Sequence, residues 1–195
     1  MIGSFQAENI TGCFAMAHSI GIKPELITAA ISQFMGLKRR LEKRLDQKDS
    51  DNDTVIFDDI AHSPEKASSV LKNIKEIRSG KIIVVFEPNI GGREKTASIK
   101  YDHAFKDADL VVIPRLTKLK ISSNDHDKSM DGQELVDIIG KTHKNVAYIE
   151  EDDNLINYLK TNNQKGDTIV FMGSHGFRRM IEKMIEIFKV TKSDK

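Results

Sequence analysis

Asp58, Asp59 and His62 bring two carboxylates and an imidazole to the junction between an apolar run, Val55 to Phe57, and a helix start marked by Ser63 and Pro64. Such a junction suits substrate binding, because the acid and imidazole groups stand beside the electropositive end of the helix. A strand-to-helix loop of an α/β sheet also faces the ligand crevice. The simpler reading makes the aspartates caps and solvated charges. A second junction, Phe86-Glu87-Pro88-Asn89-Ile90-Gly91-Gly92-Arg93, ends a buried strand in a loop presenting Glu87, Asn89 and Arg93. Arg93 either holds a carboxylate or phosphate in a two-pronged contact or is a solvated arginine opening the next helix. The turn Gly173-Ser174-His175-Gly176 either brings backbone amides to an anion at a helix start or is turn chemistry alone.

Hydrophobic periodicity supplies the elements that must position these groups. The helix after Ser63 carries one stripe, Ala67, Val70, Leu71, Ile74 and Ile77. Two helices come first in the chain, Ala7 to Ile20 and, after a turn at Gly21, Pro24 to Phe34. Residues 46–53 include no apolar side chain, which predicts an exposed loop or a hinge and places a domain boundary there. Beyond it, strands are predicted at 54–57, 81–86, 110–113, 146–149 and 168–172. Helices are predicted up to Arg78, over 97–108, after the capping-box pair Asp131 and Glu134, around Leu155 to Leu159, and over Met180 to Phe188. Residues 116–128 read as an exposed, mobile loop. Alternation of this kind requires right-handed crossovers, so the fold class is α/β: a doubly wound, mostly parallel sheet preceded by a short helical segment. Of the six histidines, only His62 and His175 fall in strand-to-helix loops, and in a doubly wound sheet those loops would share one crevice.

Composition removes several function classes. The chain has 195 residues, 39% of them hydrophobic, enough for one full domain with a smaller appendage. Thirty basic residues against 29 acidic ones give a net charge of +1, so no basic field points to nucleic acid or an anionic membrane surface. Cys13 stands alone, which excludes an internal disulfide; beside Ile10, Phe14 and Ala17 it reads as ordinary core. The histidines lack metal-site spacing, so no structural metal is expected. Neither GxxxxGK[ST] nor GxGxxG occurs, so the chain has no nucleotide engine of its own. With no apolar stretch of about 20 residues and no signal-peptide pattern, a cytoplasmic protein is expected.

Segments in order along the chain resemble the C-terminal portion of the Mur ligases, which join amino acids or peptides to the muramyl nucleotide. Gly3 to Asn9 followed by Ile10 to Ile22 resembles G-x-H-N-x-x-N-A-L-A-A, and Phe34 to Glu42 resembles F-x-G-x-x-R-R-x-E. Asp58 to Pro64 resembles D-D-[YF]-[AG]-H-H-P. Within the family, Phe86-Glu87-Pro88 and Met172 to Phe177 are similar to the murein peptide ligase branch, whereas the L-alanine-adding enzymes more often read F-Q-P. Phe5-Gln6 departs from the family's His-Asn, Ser63 from its second histidine, and Asn89 and Arg93 from the arginine and methionine of the peptide ligase branch.

The resemblance implies a Rossmann-like C-terminal domain over 54–195, a linker at 45–53, and a helical tail of the central ATP-binding domain over 1–44, which would expose apolar surface away from its parent domain. It implies ATP and Mg2+ as cofactors of the full-length enzyme and UDP-N-acetylmuramate as one substrate. The phosphate loop would lie upstream, leaving this chain inactive alone. On the nucleotide side, Asn9 matches an asparagine that reads adenine, Arg40 an arginine near the phosphates, and Asp59 an aspartate that contacts the ribose. On the amine-substrate side stand His62, Asn89, Arg93, Ser174 and His175. The leading expectation is a murein peptide ligase domain that binds L-alanyl-γ-D-glutamyl-meso-diaminopimelate. The alternatives are the C-terminal domain of a UDP-N-acetylmuramate:L-alanine ligase and a noncatalytic stand-alone binding module of the same fold.

Overall fold

The computed structural model describes residues 4–50, 52–118 and 129–189. Two helices lead, α1 (Ser4–Ser19) and α2 (Pro24–Gln33), joined through Gly21, whose φ of 89° only glycine adopts freely. A six-stranded sheet follows, built from β1 (Glu42–Leu45), β2 (Val55–Asp59), β3 (Ile82–Glu87), β4 (Leu110–Pro114), β5 (Val146–Ile149) and β6 (Thr168–Gly173). Its order is β1-β2-β6-β3-β4-β5, with β2 to β5 and β6 mutually parallel and β1 antiparallel at the edge. The central strands are buried along their whole length, as the unbroken apolar runs Ile82 to Phe86 and Ile169 to Met172 require.

Helices cover both faces. One core layer packs α3 (Pro64–Ile77) and α4 (Gly132–Ile139) against Phe57, Val84, Phe86 and Met172. The other packs α5 (Asp152–Asn162) and α6 (Met180–Phe188) against Ile56, Val85 and Phe171. Each helix stripe is thereby matched to alternate side chains of the same strands. Ser63 caps α3 by accepting from the Lys66 amide, and Asp131 and Glu134 complete the capping box of α4.

Three expectations change. The helix predicted over 97–108 is a 3-10 helix, Lys95–Tyr101, followed by turns. Ala97, Tyr101, Ala104, Phe105 and Ala108 are buried at helix-like spacing, but the bonds return three residues back, and His103, at φ 51°, breaks any continuous helix. Residues 42–45 enter the sheet as β1, a short 3-10 turn, Gln47–Asp49, follows, and buried Ser50 after it accepts from the Thr54 amide. Cys13 is exposed instead of core, because α1 and α2 pack mainly on each other. The expected loop over 116–128 lies outside the described residues from 119 onward. Among the described residues no helix is long and apolar enough to cross a membrane.

Candidate functional site

The parallel sheet directs the C-terminal ends of β2, β3, β4 and β6 toward one rim, and the register sets their tips level: Asp59 opposite Met172, and Glu87 opposite Gly173. The helices after β3 and β4 and those before and after β6 lie on opposite faces, so a crevice opens at this rim. Gly173 permits the close approach of the two strand ends. A Cβ there would stand 3.0 Å from the Glu87 carbonyl oxygen and 3.0 Å from the Phe177 ring.

A cavity of about 310 Å³ occupies the crevice, lined by Glu87, Pro88, Asn89, Ile90, Arg93, Thr117, Lys118, Ser174 and His175. A larger hollow, about 520 Å³, lies at the other end of the sheet, beside Lys81, Asp109 and Asn145, where strands begin. Ligand crevices of doubly wound sheets form at the carboxyl ends, which favours the smaller one.

Arg93 is held at both ends of its residue. Its amide donates to the carbonyls of Asn89 and Ile90 at 3.1 and 3.0 Å, its carbonyl accepts from the Met130 amide at 2.6 Å, and Nη1 donates to the Thr117 carbonyl at 2.9 Å. Burial holds its pKa below the ordinary arginine value, opposed by the negative charge of Glu87. Asn89 Oδ1 caps the short turn by accepting from the Gly92 amide at 2.9 Å, and buried Tyr101 donates to the Gly92 carbonyl at 2.7 Å. Burial raises the Tyr101 phenol far above its ordinary pKa, so it stays a donor. Ser174 Oγ and His175 Nδ1 lie 3.1 Å apart on the facing loop.

His62 borders this cluster without lining the cavity. Its carbonyl accepts from the Asn89 amide at 3.1 Å, and its Nδ1 meets the Ile60 carbonyl at 2.7 Å. Since a carbonyl can only accept, Nδ1 donates in that contact.

The two aspartates of the first motif are structural in this arrangement. Asp59 is 2% exposed, and its two oxygens accept from the amides of Leu41 at 2.6 Å and Ala61 at 2.7 Å. Burial raises its pKa against those two bonds. Both oxygens of Asp59, from which a ribose contact is expected, thus each accept one backbone bond. Asp58, equally buried, is flanked by Arg39 at 3.3 Å and Arg44 at 3.5 Å, with burial again outweighing the arginines and lifting its pKa.

Sequence reasoning missed Arg39. Its guanidinium donates to Asp58 and to the carbonyls of Gly173, Ser174 and His175, so it ties the segment before β1 to the loop after β6. Three consecutive left-handed residues, Phe177, Arg178 and Arg179, continue that loop, and Arg178 is gripped by Asp152 through Nε and Nη2. Neither feature has a periodic signal, although Arg39 sits within the F-x-G-x-x-R-R match.

Asn9 and Arg40, expected on the nucleotide side, share a separate apolar groove of about 920 Å³ between α1, α2 and Leu37. The structure thus divides the candidates: Asn89, Arg93, Ser174 and His175 together, His62 adjoining, Asp59 buried behind them, Asn9 and Arg40 elsewhere. Among the described residues no group of three His, Cys, Asp or Glu side chains could hold a metal ion.

Residues 39–175 match the family described as Mur ligase, glutamate ligase domain. The chain is 27% identical over 184 residues, 94% of its length, to a UDP-N-acetylmuramate–L-alanine ligase of Caldanaerobacter subterraneus. It spans 38% of that relative. Its fold is similar to the UDP-N-acetylmuramate–alanine ligase of Thermotoga maritima, with a TM-score of 0.76 at 20% identity over 96% of this chain and 38% of the other. It is also similar to a murein peptide ligase of Psychrobacter arcticus, with a TM-score of 0.63 at 23% identity over 95% of this chain and 37% of the other. Since the family match covers most of its length, the chain belongs to the Mur ligase family and carries that family's C-terminal domain.

Proposed function

We propose that this chain is the amine-substrate portion of an ATP-dependent ligase that joins L-alanine to UDP-N-acetylmuramate. The observation that carries this reading is the meeting of Glu87, Asn89, Arg93, Ser174 and His175 in one cavity at the carboxyl rim of the sheet. Arg93 presents a half-buried guanidinium suited to a substrate carboxylate, in a crevice that limits competition from water. The polar walls hold the amine-bearing substrate in a fixed orientation, so that the amine meets the activated carboxyl group of the other substrate in line. Similarity to L-alanine ligases supports the choice of substrate.

In this reading α1 and α2 belong to a central nucleotide-binding domain, the stretch between α2 and Arg39 links them to the substrate domain whose sheet opens with β1, and closure about that link assembles the site. Asn9 and Arg40, on one groove, would hold the adenine and the phosphates of ATP respectively, and ATP supplies the activation of the carboxyl group when bound. Among the described residues no group of three His, Cys, Asp or Glu side chains offers a magnesium ion its ligands.

A specific observation favours the tripeptide L-alanyl-γ-D-glutamyl-meso-diaminopimelate as a second candidate: Glu87 stands where the alanine-adding enzymes more often carry glutamine, and Phe177 closes the turn as in the peptide ligase branch. Calorimetric titration of the chain with L-alanine, the tripeptide and ATP separates the readings. Heat with L-alanine that disappears in Arg93→Ala is the expected result. Heat with the tripeptide alone selects the second candidate, and binding of neither amine substrate overturns the proposal.

A further inference from the structure

We propose that Arg39 is a positioning residue for the cavity: from the segment that leads out of the helical pair, it sets the backbone of the wall formed by Ser174 and His175. The expected effect on binding rests on the amine-substrate reading, and the expected effect on the loop does not.

One guanidinium serves both sides of this junction. Nε donates to Asp58 Oδ1 at 3.3 Å, Nη1 to the Ser174 carbonyl at 3.0 Å, and Nη2 to the carbonyls of Gly173 and, at 2.9 Å, His175. Three consecutive carbonyls of the loop after β6 thus converge on one planar fork, a geometry that an ammonium cannot reproduce. Apart from the contact between their own side chains, no other hydrogen bond holds Ser174 and His175 among the described residues. Arg39 therefore supplies the bonds that place this wall, although its own side chain does not line the cavity.

Arg39 is itself fixed to the body of the sheet. Its amide donates to Glu42 at 2.8 Å, its carbonyl accepts from the Ile60 amide at 2.9 Å, and the Leu41 amide donates to Asp59. Arg39 and Leu41 both hold left-handed backbones, φ 54° and 49°, which residues with a Cβ adopt sparingly. The three bonds keep the segment in that conformation, and Asp58 orients the guanidinium toward the loop. Arg78 offers an internal comparison, since it donates to Thr168 Oγ1 and to the carbonyls of Asp53 and Gly166 at the other end of β6. Two arginines thus clasp the two ends of one strand, about 16 Å apart at ~3.3 Å per residue. Of the two, Arg39 alone holds residues that line the cavity.

The test compares Arg39→Ala, Arg39→Lys and Arg78→Ala in the 195-residue chain, reading backbone order parameters by NMR relaxation and affinity by titration with L-alanine. Both Arg39 variants are expected to lower the order parameters of residues 174–176 from about 0.85 to below about 0.6 and to weaken L-alanine about tenfold. Arg78→Ala is expected to leave both readouts unchanged while lowering the urea midpoint as Arg39→Ala does, which separates placement of the wall from lost stability. Order parameters unchanged in Arg39→Ala, or lowered equally by Arg78→Ala, overturn the proposal. So does lowered order without loss of affinity. Full restoration by Arg39→Lys also overturns it, leaving Arg39 a countercharge for Asp58 and no more. Should Arg39→Ala fail to fold, Arg39→Lys decides on the same readouts. If the parent chain binds the tripeptide in place of L-alanine, the same comparison is made with the tripeptide. If it binds neither, the amine-substrate reading fails, and the order parameters still decide whether Arg39 places the wall.

Discussion

In α3 the stripe Ala67, Val70, Leu71 and Ile74 is buried against the sheet, whereas in α1, the turn after it and α2, Met16, Ile20 and Leu26 remain 71%, 74% and 63% exposed. Both regions are apolar at helical spacing, yet within the helical pair Ile27 alone is buried among the described side chains. The difference lies in the partner. The sheet offers α3 a complementary apolar face, while α1 and α2 offer each other a single strip and leave a broad apolar groove open. Helical periodicity thus reports that a face wants cover, not that the same segment of chain supplies it.

Substitutions in the two regions can break that contrast. The largest effect is expected from Phe86→Ala, which removes a fully buried ring packed edge-on to Phe105 and Tyr101 and should cost about 3–5 kcal/mol in urea unfolding. Arg39→Ala is expected to cost about 2 kcal/mol, since it strips three loop carbonyls and one side of buried Asp58 of their donor. Arg39→Lys should not restore the loss, because an ammonium cannot span the same fork of acceptors.

A smaller effect is expected at the Asp152–Arg178 pair. Its hydrogen bonds from Arg178 hold Asp152 below its ordinary pKa. A folded-state pKa lowered in this way gives stability that is present above the unfolded value and lost as pH falls through the folded one. Asp152→Asn should therefore cost about 1 kcal/mol or less at neutral pH, with the difference from the parent chain closing below about pH 4 in acid unfolding curves. Met16→Ala should change stability by less than about 0.5 kcal/mol. A cost there equal to that of Phe86→Ala would show the helical pair to be as firmly packed as the body.

Much of the body was legible in the sequence because its signals are local and redundant. The apolar runs of β3 and β6, the Ser63 and Asp131 caps and the stripes of α3 and α6 each identify an element without knowledge of its neighbours. The strand β1 was not legible: Glu42-Lys43-Arg44-Leu45 has a single apolar residue, and it is a strand because β2 supplies an edge and Asp58 meets Arg44. Residues 95–108 misled because their burial spacing is helical while their hydrogen bonds are not. Within the site, loop position alone brought Asn89, Arg93, Ser174 and His175 to one cavity, since strand ends of a parallel sheet share a rim. The structural engagement of Asp59 was hidden because its partner amide, at Leu41, is separated from it by sequence and joined only by the fold. Glu87 was visible as a residue type, but the bond its Oε1 accepts from the Thr117 amide is a property of the packed loop.

Hydrogen exchange measured on the whole chain with and without saturating L-alanine tests the central claim most directly, because it surveys both regions at once. The expected result is slower exchange confined to residues 87–93, 117–118 and 174–175, with α1 and α2 unchanged. Protection that appears in α1 and α2 and spares the loops after β3 and β6 would contradict the placement of the amine substrate at the rim of the sheet.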